Sequence, residues 1–488
     1  MMLDYLKLED NKTLTENGAT TYKTTGSDML DLFATIGTLR NSREDEIVIR
    51  FIRAYSENSE LAMKLLFFTR DIRGGLGERR VFRIIFRWLA ENDPDVVIKN
   101  ISFIEEFGRY DDFLVLLHTK CEHAAINFLK AQLEEDVQHC MEDKPVSLLA
   151  KWLPSVNTSN VNTVKNAKKL AREFGMTQEQ YRKTIVTLRR KIDLIENHLR
   201  EKDYVFDYAK VPSRAQFKYR NAFLRNDKMR YLEFIEAVNQ DAVTMHTDHV
   251  MPYEFVETYL QRENIMTNDE KEVLNTAWKA LPDFGSEENA IAVVDTSGSM
   301  YWGGKPTPAS VALSLGIYFA ERNSGVFHNY FIEFSEQPQL IELKGETFAE
   351  KLQYVMTFNK VADTNLEAVF DLILKTAIKY HVQQKDLPSK LVIISDMEFN
   401  TCMLHADKTN FENAKHKYER YGYKLPEIVF WNVASRNRQQ PVTMNEHGAI
   451  LVSGCSVHLF EMVAGRNLSP YQFMLDVLQS SRYAKISA

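Results

Sequence analysis

The apolar run Ala292-Val293-Val294 ends abruptly in Asp295-Thr296-Ser297-Gly298-Ser299. Oxygen ligands at alternate positions of one tight loop suit a hard divalent cation, Mg²⁺ first with Mn²⁺ or Ca²⁺ as alternatives, and not zinc or copper. One loop is too few ligands for a complete shell. Thr364, in Asp363-Thr364-Asn365 at the start of a helical stretch, adds a hydroxyl, and Asp396 adds an acid where Leu391-Val392-Ile393-Ile394-Ser395 stops. The expected metal ligands are therefore Asp295, Ser297, Ser299, Thr364 and Asp396. Hydrolysis would also need a general base and a second metal or substrate clamp. Glu367 and Glu398 are close in sequence, but acids in helices and loops are usually solvated. No Gly-x-x-x-x-Gly-Lys-Ser/Thr loop is present, so nucleotide hydrolysis has no support. The expectation is a protein with no catalytic residues.

A second chemistry comes from cations. Arg70-Asp71-Ile72-Arg73-Gly74-Gly75-Leu76-Gly77-Glu78-Arg79-Arg80 surrounds three glycines with four arginines at the start of a helix. Backbone N–H groups and guanidinium forks suit phosphate; a plain turn stabilised by Arg–Asp and Arg–Glu pairs explains the residues equally well. Residues 165–230 hold eighteen Lys and Arg against eight acids, inside a chain of net charge −7. That asymmetry is what a polyanion-binding face requires. The expected RNA contacts are Arg70, Arg73, Arg79, Arg83, Arg109, Lys165, Lys168, Lys169, Arg172, Arg189, Arg190, Arg214, Lys218 and Arg220. Tyr181, Phe217, Tyr219 and Phe223 interleave with the charges and could stack on unpaired bases, or turn inward as ordinary core. His246, Asp248 and His249 form a compact group that more often caps a helix than binds a metal.

These residues must be positioned by two kinds of structure. At 488 residues the chain exceeds one ordinary core. After an extension over 1–26, residues 27–285 read as helical, with Ser27 as a cap and apolar residues at helical spacing. Helices are expected near 46–55, 61–68, 78–89, 94–107, 121–138, 161–174, 177–199 and 228–239, stacked as an α-solenoid without a crisp period. Leu281-Pro282-Asp283-Phe284-Gly285 punctuates the chain. Over 286–488, apolar runs at 290–295, 329–334, 391–395, 428–432 and 449–452 alternate with helical segments at 308–322, 365–380 and 410–420. Alternation implies a mainly parallel sheet covered on both faces, with ligands at the carboxyl ends of its strands. The content is 44% apolar and 26% charged, which excludes a disordered chain. No apolar run approaches a membrane span, and Met1-Met2-Leu3-Asp4-Tyr5 does not read as a signal peptide. Four scattered cysteines form no zinc knuckle, and a reducing cytoplasm fits them.

The five-residue pattern resembles the metal-ion-dependent adhesion site of von Willebrand factor A domains, with Asp295, Ser297, Ser299, Thr364 and Asp396 at the family's positions. A helical half followed by an A domain resembles the TROVE proteins, typified by the Ro autoantigen. Arg70-Asp71-Ile72-Arg73-Gly74-Gly75, Phe107-Gly108-Arg109-Tyr110-Asp111-Asp112-Phe113, Lys151-Trp152-Leu153-Pro154-Ser155 and Val211-Pro212-Ser213-Arg214 are similar to motifs of an uncharacterised TROVE-like family, domain of unknown function 2828. The resemblance implies an α plus α/β chain: a HEAT-like, ring-shaped helical domain, then a Rossmann-like A domain. It implies binding of small structured or single-stranded RNA, with Mg²⁺ on the A domain and a partner carboxylate able to complete its shell. A protein-interaction scaffold, or a metal-dependent RNA hydrolase, is the alternative.

Overall fold

The computed structural model describes residues 2–262, 265–285, 287–302, 304–334, 337–358, 365–402, 407–434, 436–465 and 469–488. Helix α1 (Met2–Asn11) leads into an antiparallel hairpin, β1 (Lys12–Leu14) and β2 (Thr20–Tyr22). A run of helices follows: α2 (Asp28–Phe33), α3 (Glu44–Glu57), α4 (Ser59–Arg70), α5 (Arg79–Asn92), α6 (Pro94–Asn100), α7 (Ile104–Phe107), α8 (Glu122–Met141) and α9 (Leu149–Trp152). It continues through α10 (Val161–Glu173), α11 (Gln178–Lys191), α12 (Ile195–Glu201), α13 (Ser213–Asn226), α14 (Lys228–Asn239), α15 (Pro252–Arg262) and α16 (Asn268–Lys279). Ser27 caps α2 as expected, its hydroxyl accepting the Leu30 N–H at 3.2 Å. Helix α5 shows why the pattern folds: Val81, Phe82, Ile85, Phe86 and Leu89 recur every three or four residues and are buried. Helix α4 is buried on every side from Leu61 to Arg70 and forms the centre of this half, flanked by α3 and α5.

The second half contains β3 (Ala290–Asp295), α17 (Pro308–Arg322), β4 (Tyr330–Phe334), β5 (Gln339–Glu342), α18 (Phe348–Met356), α19 (Leu366–Lys379) and β6 (Lys390–Ser395). It ends with α20 (Asn410–Arg420), β7 (Glu427–Asn432), β8 (Ala449–Ser453), α21 (His458–Val463) and α22 (Pro470–Leu478). The six strands lie in the order β5-β4-β3-β6-β7-β8. All neighbours are parallel except β4 and β5, so the sheet is mixed and not purely parallel. Edge strand β5 follows β4 closely, which is too short a connection for a parallel crossover. The central strands β3 and β6 are buried throughout and read as continuous apolar runs because helices cover both faces. From β3 the chain winds one way to β4, and from β6 the other way to β7 and β8. The topological switch point therefore lies at the carboxyl ends of β3 and β6.

The two halves clasp each other through the chain ends. Hairpin β1–β2 docks on the second half: Tyr22 and Gln440 exchange backbone hydrogen bonds of 3.0 and 2.8 Å, and Thr15 Oγ1 donates to the Phe399 carbonyl at 2.6 Å. In return α22 packs on α2, α4 and β8. Beyond it, Tyr483 stacks on Phe107 and meets Phe68 edge-on.

Candidate cation site and basic surface

Strands β3 and β6 run in register, Val294 opposite Ile394, so they end side by side. Asp295 closes β3 and is fully buried, and Asp396 follows β6 directly. The Asp295 Oδ1 accepts the Ser297 N–H at 2.9 Å, and its Oδ2 accepts the Ser395 hydroxyl at 2.5 Å. Ser299 Oγ donates to Asp396 Oδ2 at 2.8 Å and lies 3.0 Å from Ser297 Oγ. Four of the five expected ligands thus gather at the switch point; Thr364 lies outside the described residues. Burial first, then the charge of Asp396, pushes Asp295 up to about 7, against the hydrogen bonds from Ser395 and Ser297. Two crowded acids beside two hydroxyls form an all-oxygen donor set, which fits a hard divalent cation. Among the described residues no group of three His, Cys, Asp or Glu side chains is placed to hold a metal, and His246, Asp248 and His249 make none. The hydroxyls of this cluster are what distinguish it from such a group.

The surroundings of the cluster had no signal in the residue spacing. The Arg436 guanidinium reaches Asp396 Oδ2 and also lies 3.3 Å from Glu16 Oε2. Glu398 is buried, not solvated: its carboxylate accepts the Glu16 N–H at 2.7 Å and the Asn437 and Gln439 amides at 2.8 Å. Burial raises its pKa. Glu367 accepts Lys417 at 2.8 Å and is held in a helix-to-helix pair. Glu333, buried on β4, accepts the Thr296 hydroxyl at 2.6 Å. An acid inside a strand covered on both faces is a readable sign of such a partner.

The glycine-rich loop after α4 closes on itself. Arg73 and Gly74 donate their N–H groups to Asp71 Oδ1, Leu76 to the Phe68 carbonyl, Gly77 to Asp71 and Glu78 to Thr69. None of these five amides is left for a phosphate. A Cβ on Gly75 would stand 2.2 Å from the Phe68 carbonyl, so only glycine allows this close approach. Asp71 instead receives the C-terminal segment: Arg482 Nη2 at 2.7 Å and the Tyr483 hydroxyl at 2.9 Å.

The fourteen expected RNA contacts divide into two groups. Arg70 is buried against Asp112 at 2.8 Å; Arg83 pairs with Asp111 and Asp112; Arg109 stacks on Trp152, its centre 4.2 Å from the ring. Arg189 donates to the Ala150 and Leu153 carbonyls, each at 2.8 Å, and Arg220 lies 4.1 Å over Phe217. Lys169 pairs with Glu122 at 2.5 Å, and Arg73 donates to the Glu106 carbonyl. These side chains hold the helical half together. Arg79, Lys165, Lys168, Arg172, Arg190, Arg214 and Lys218 are exposed, although Arg172 meets Glu173, Arg214 meets Glu254 and Lys218 meets Tyr219. Of the expected stacking platforms, Tyr181, Phe217 and Phe223 are buried and Tyr219 is half-buried. These aromatics are core: Tyr181 packs against Phe174, Phe217 against Phe255, and Phe223 against Tyr208 and Tyr231.

The fold nevertheless joins the two basic regions. A groove of about 1190 Å³ is lined by Arg79, Arg80, Arg83 and Arg87 of α5, by Trp88, and by Lys165 of α10; Glu44, Asp45, Glu91 and Asp111 share it. On α10, Lys165, Lys168 and Arg172 follow at helical spacing and lead out of the groove along one exposed stripe.

Two families, each described as a domain of unknown function, match the chain: DUF2828 over residues 15–127 and 156–284, and DUF7788 over residues 289–469. The chain is 28% identical over 511 residues to uncharacterized protein L728 of Acanthamoeba polyphaga mimivirus, covering 96% of this chain and 87% of that protein. The crystal structure of the Deinococcus radiodurans RO (RSR) protein aligns over 92% of this chain and 93% of its own, at 12% identity and a TM-score of 0.34.

Proposed function

We propose that this chain is a non-catalytic RNA-binding protein: a TROVE-like helical half that binds RNA, and an A-domain-like half that holds Mg²⁺ at the switch point. The groove along α5 carries the reading. It sets Arg79 and Arg87, on one face of α5, together with the sequence-distant Lys165 on one concave surface beside Trp88, and the α10 stripe extends it. Fourteen of the eighteen cations of residues 165–230 are exposed. Phosphate contacts of this kind give affinity without sequence choice. Small structured or single-stranded RNA is the ligand class, since grooves lined by cations and an aromatic ring suit both. A gel-shift titration across salt tests it: log affinity should fall linearly with log salt, by roughly 0.7 per neutralised phosphate on a single strand. No RNA affinity at low salt would reject the reading. Cleavage products that form with Mg²⁺ and vanish with EDTA would replace it by a hydrolase.

A second reading rests on the Asp295–Ser297–Ser299–Asp396 cluster, whose donor set suits a cation that a partner's carboxylate could complete. Under it, Asp295→Ala abolishes Mg²⁺-dependent capture of an acidic partner and leaves RNA affinity unchanged. Equal loss of both would tie the two halves into one site.

A further inference from the structure

The turn of the N-terminal hairpin is fixed beside the cation cluster. Thr15 Oγ1 donates to the Phe399 carbonyl, the Glu16 N–H to Glu398 Oε2 at 2.7 Å, and the Asn17 side-chain amide to the Glu398 carbonyl at 2.6 Å. Gly18 and Asn400 form an isolated antiparallel bridge. Glu398, Phe399 and Asn400 come just after Asp396 in the chain, so the turn rides on the segment that carries this acid. The Glu16 side chain meets the loop after β7: Oε1 accepts Asn437 Nδ2 at 3.1 Å, and Oε2 lies 3.3 Å from Arg436 Nη1. The other end of that guanidinium, Nη2, donates to Asp396 Oδ2, the oxygen that also accepts the Ser299 hydroxyl. One charged fork bridges a buried acid of the cluster and an exposed acid of the hairpin.

A divalent cation on Asp396 and Ser299 repels a guanidinium at the same oxygen, so Arg436 has to leave Asp396 when the cation arrives. A guanidinium cannot shed its proton, and Arg436 is only 38% exposed; without a carboxylate there it would be a poorly solvated charge. Glu398 is already engaged by the Glu16 N–H and by the Asn437 and Gln439 amides. Glu16 is the acid in position to receive it. Its backbone is pinned, its carboxylate already meets Nη1, and a carboxylate can accept two N–H groups of one fork. Among the described residues no three acids stand together to hold a metal, so Glu16 serves the cation through Arg436 and not as a ligand.

We propose that Glu16 is a positioning residue of the cation site, taking the Arg436 guanidinium over from Asp396 when a divalent cation binds. Without the cation, Arg436 neutralises Asp396 and relieves its repulsion with Asp295. With it, Arg436 and Glu16 form a closed pair that fastens the hairpin turn to the loop after β7. The proposal rests on the cation reading of the cluster and is independent of RNA binding at the α5 groove.

Calorimetric titration of the full chain with Mg²⁺, arranged as a double-mutant cycle, tests it. Glu16→Gln keeps an acceptor for Asn437 but loses the charge, and should weaken Mg²⁺ binding by roughly tenfold. Glu16→Asp should recover most of that loss. In the Arg436→Ala background the same Glu16→Gln change should have no effect, since no guanidinium is left to move. Unchanged affinity in Glu16→Gln, or equal weakening in both backgrounds, would overturn the proposal and leave the cation site standing. Mg²⁺ binding by neither the parent chain nor Arg436→Ala would reject the cation site, and the proposal with it.

Discussion

Asp396 is shared at the residue scale between two claims. Ser299 and the backbone of Glu398 turn it toward the cluster, while Arg436 neutralises it from outside. A divalent cation and a guanidinium repel, so Arg436 opposes cation binding at this oxygen. Arg436→Ala is expected to tighten Mg²⁺ binding by roughly tenfold, about 1.4 kcal/mol, and Asp295→Ala to abolish it, both read by calorimetry of the purified chain. A tighter site in the absence of Arg436 also predicts a larger Mg²⁺-induced rise in melting temperature. Unchanged affinity in Arg436→Ala would show that the guanidinium moves aside at no cost.

Helix stripes and loops decide which of the cations face solvent. On α10 the exposed Lys165, Lys168 and Arg172 and the buried Ala167, Leu170 and Ala171 each recur at helical spacing on separate faces, so one amphipathic pattern makes both. Lys168→Glu with Arg190→Glu should weaken RNA binding and flatten its salt slope by roughly one to two units without moving the melting temperature. Arg70→Ala should do the reverse: it takes one of two guanidinium partners from buried Asp112, leaving Arg83, and costs on the order of 3 kcal/mol, seen in chemical denaturation. The Arg70 loop behaves as a docking element. Burial alone would raise Asp71, but Arg482, the Arg73 N–H and Tyr483 outweigh it and hold its carboxyl below the ordinary range. The stability this adds is complete above about pH 4, where the unfolded carboxylate is charged, and is lost as pH falls through the lower folded pKa. Arg482→Ala should therefore destabilise the chain at neutral pH by about 2–4 kcal/mol and flatten the acid limb of its stability curve.

For the molecule as a whole, the clasp makes each half depend on the other's chain end. Gly37, between α2 and α3, sits against the end of β8: a Cβ there would stand 2.4 Å from the Ser453 carbonyl. Gly37→Ala should push the halves apart and cost about 1–3 kcal/mol. Removing residues 469–488 uncovers Phe33, Phe68 and Phe107, which pack on Phe473 and Tyr483. Limited proteolysis should then cut first within the helical half; cleavage confined to residues after 285 would contradict the clasp.

Local patterns were enough for the elements whose burial is uniform. Strands β3, β6, β7 and β8 are covered on both faces, so each is an unbroken apolar run, and Asp295 and Asp396 stand out as the acids that end two of them. Strand β5 gave no such signal, since only Ile341 of its four residues points into the core. The three-residue strands of the β1–β2 hairpin gave none either: they pair only with each other over three residues, and the contacts that hold them, to Phe399 and Gln440, lie far along the chain. Charge was the least readable property. Arg70 and Arg79 belong to the same motif, yet one is buried on Asp112 and the other faces the groove. Composition sets how many cations a segment carries, but a guanidinium's partner is chosen by long-range packing. Only the tertiary structure could separate the arginines that build the fold from those that face outward.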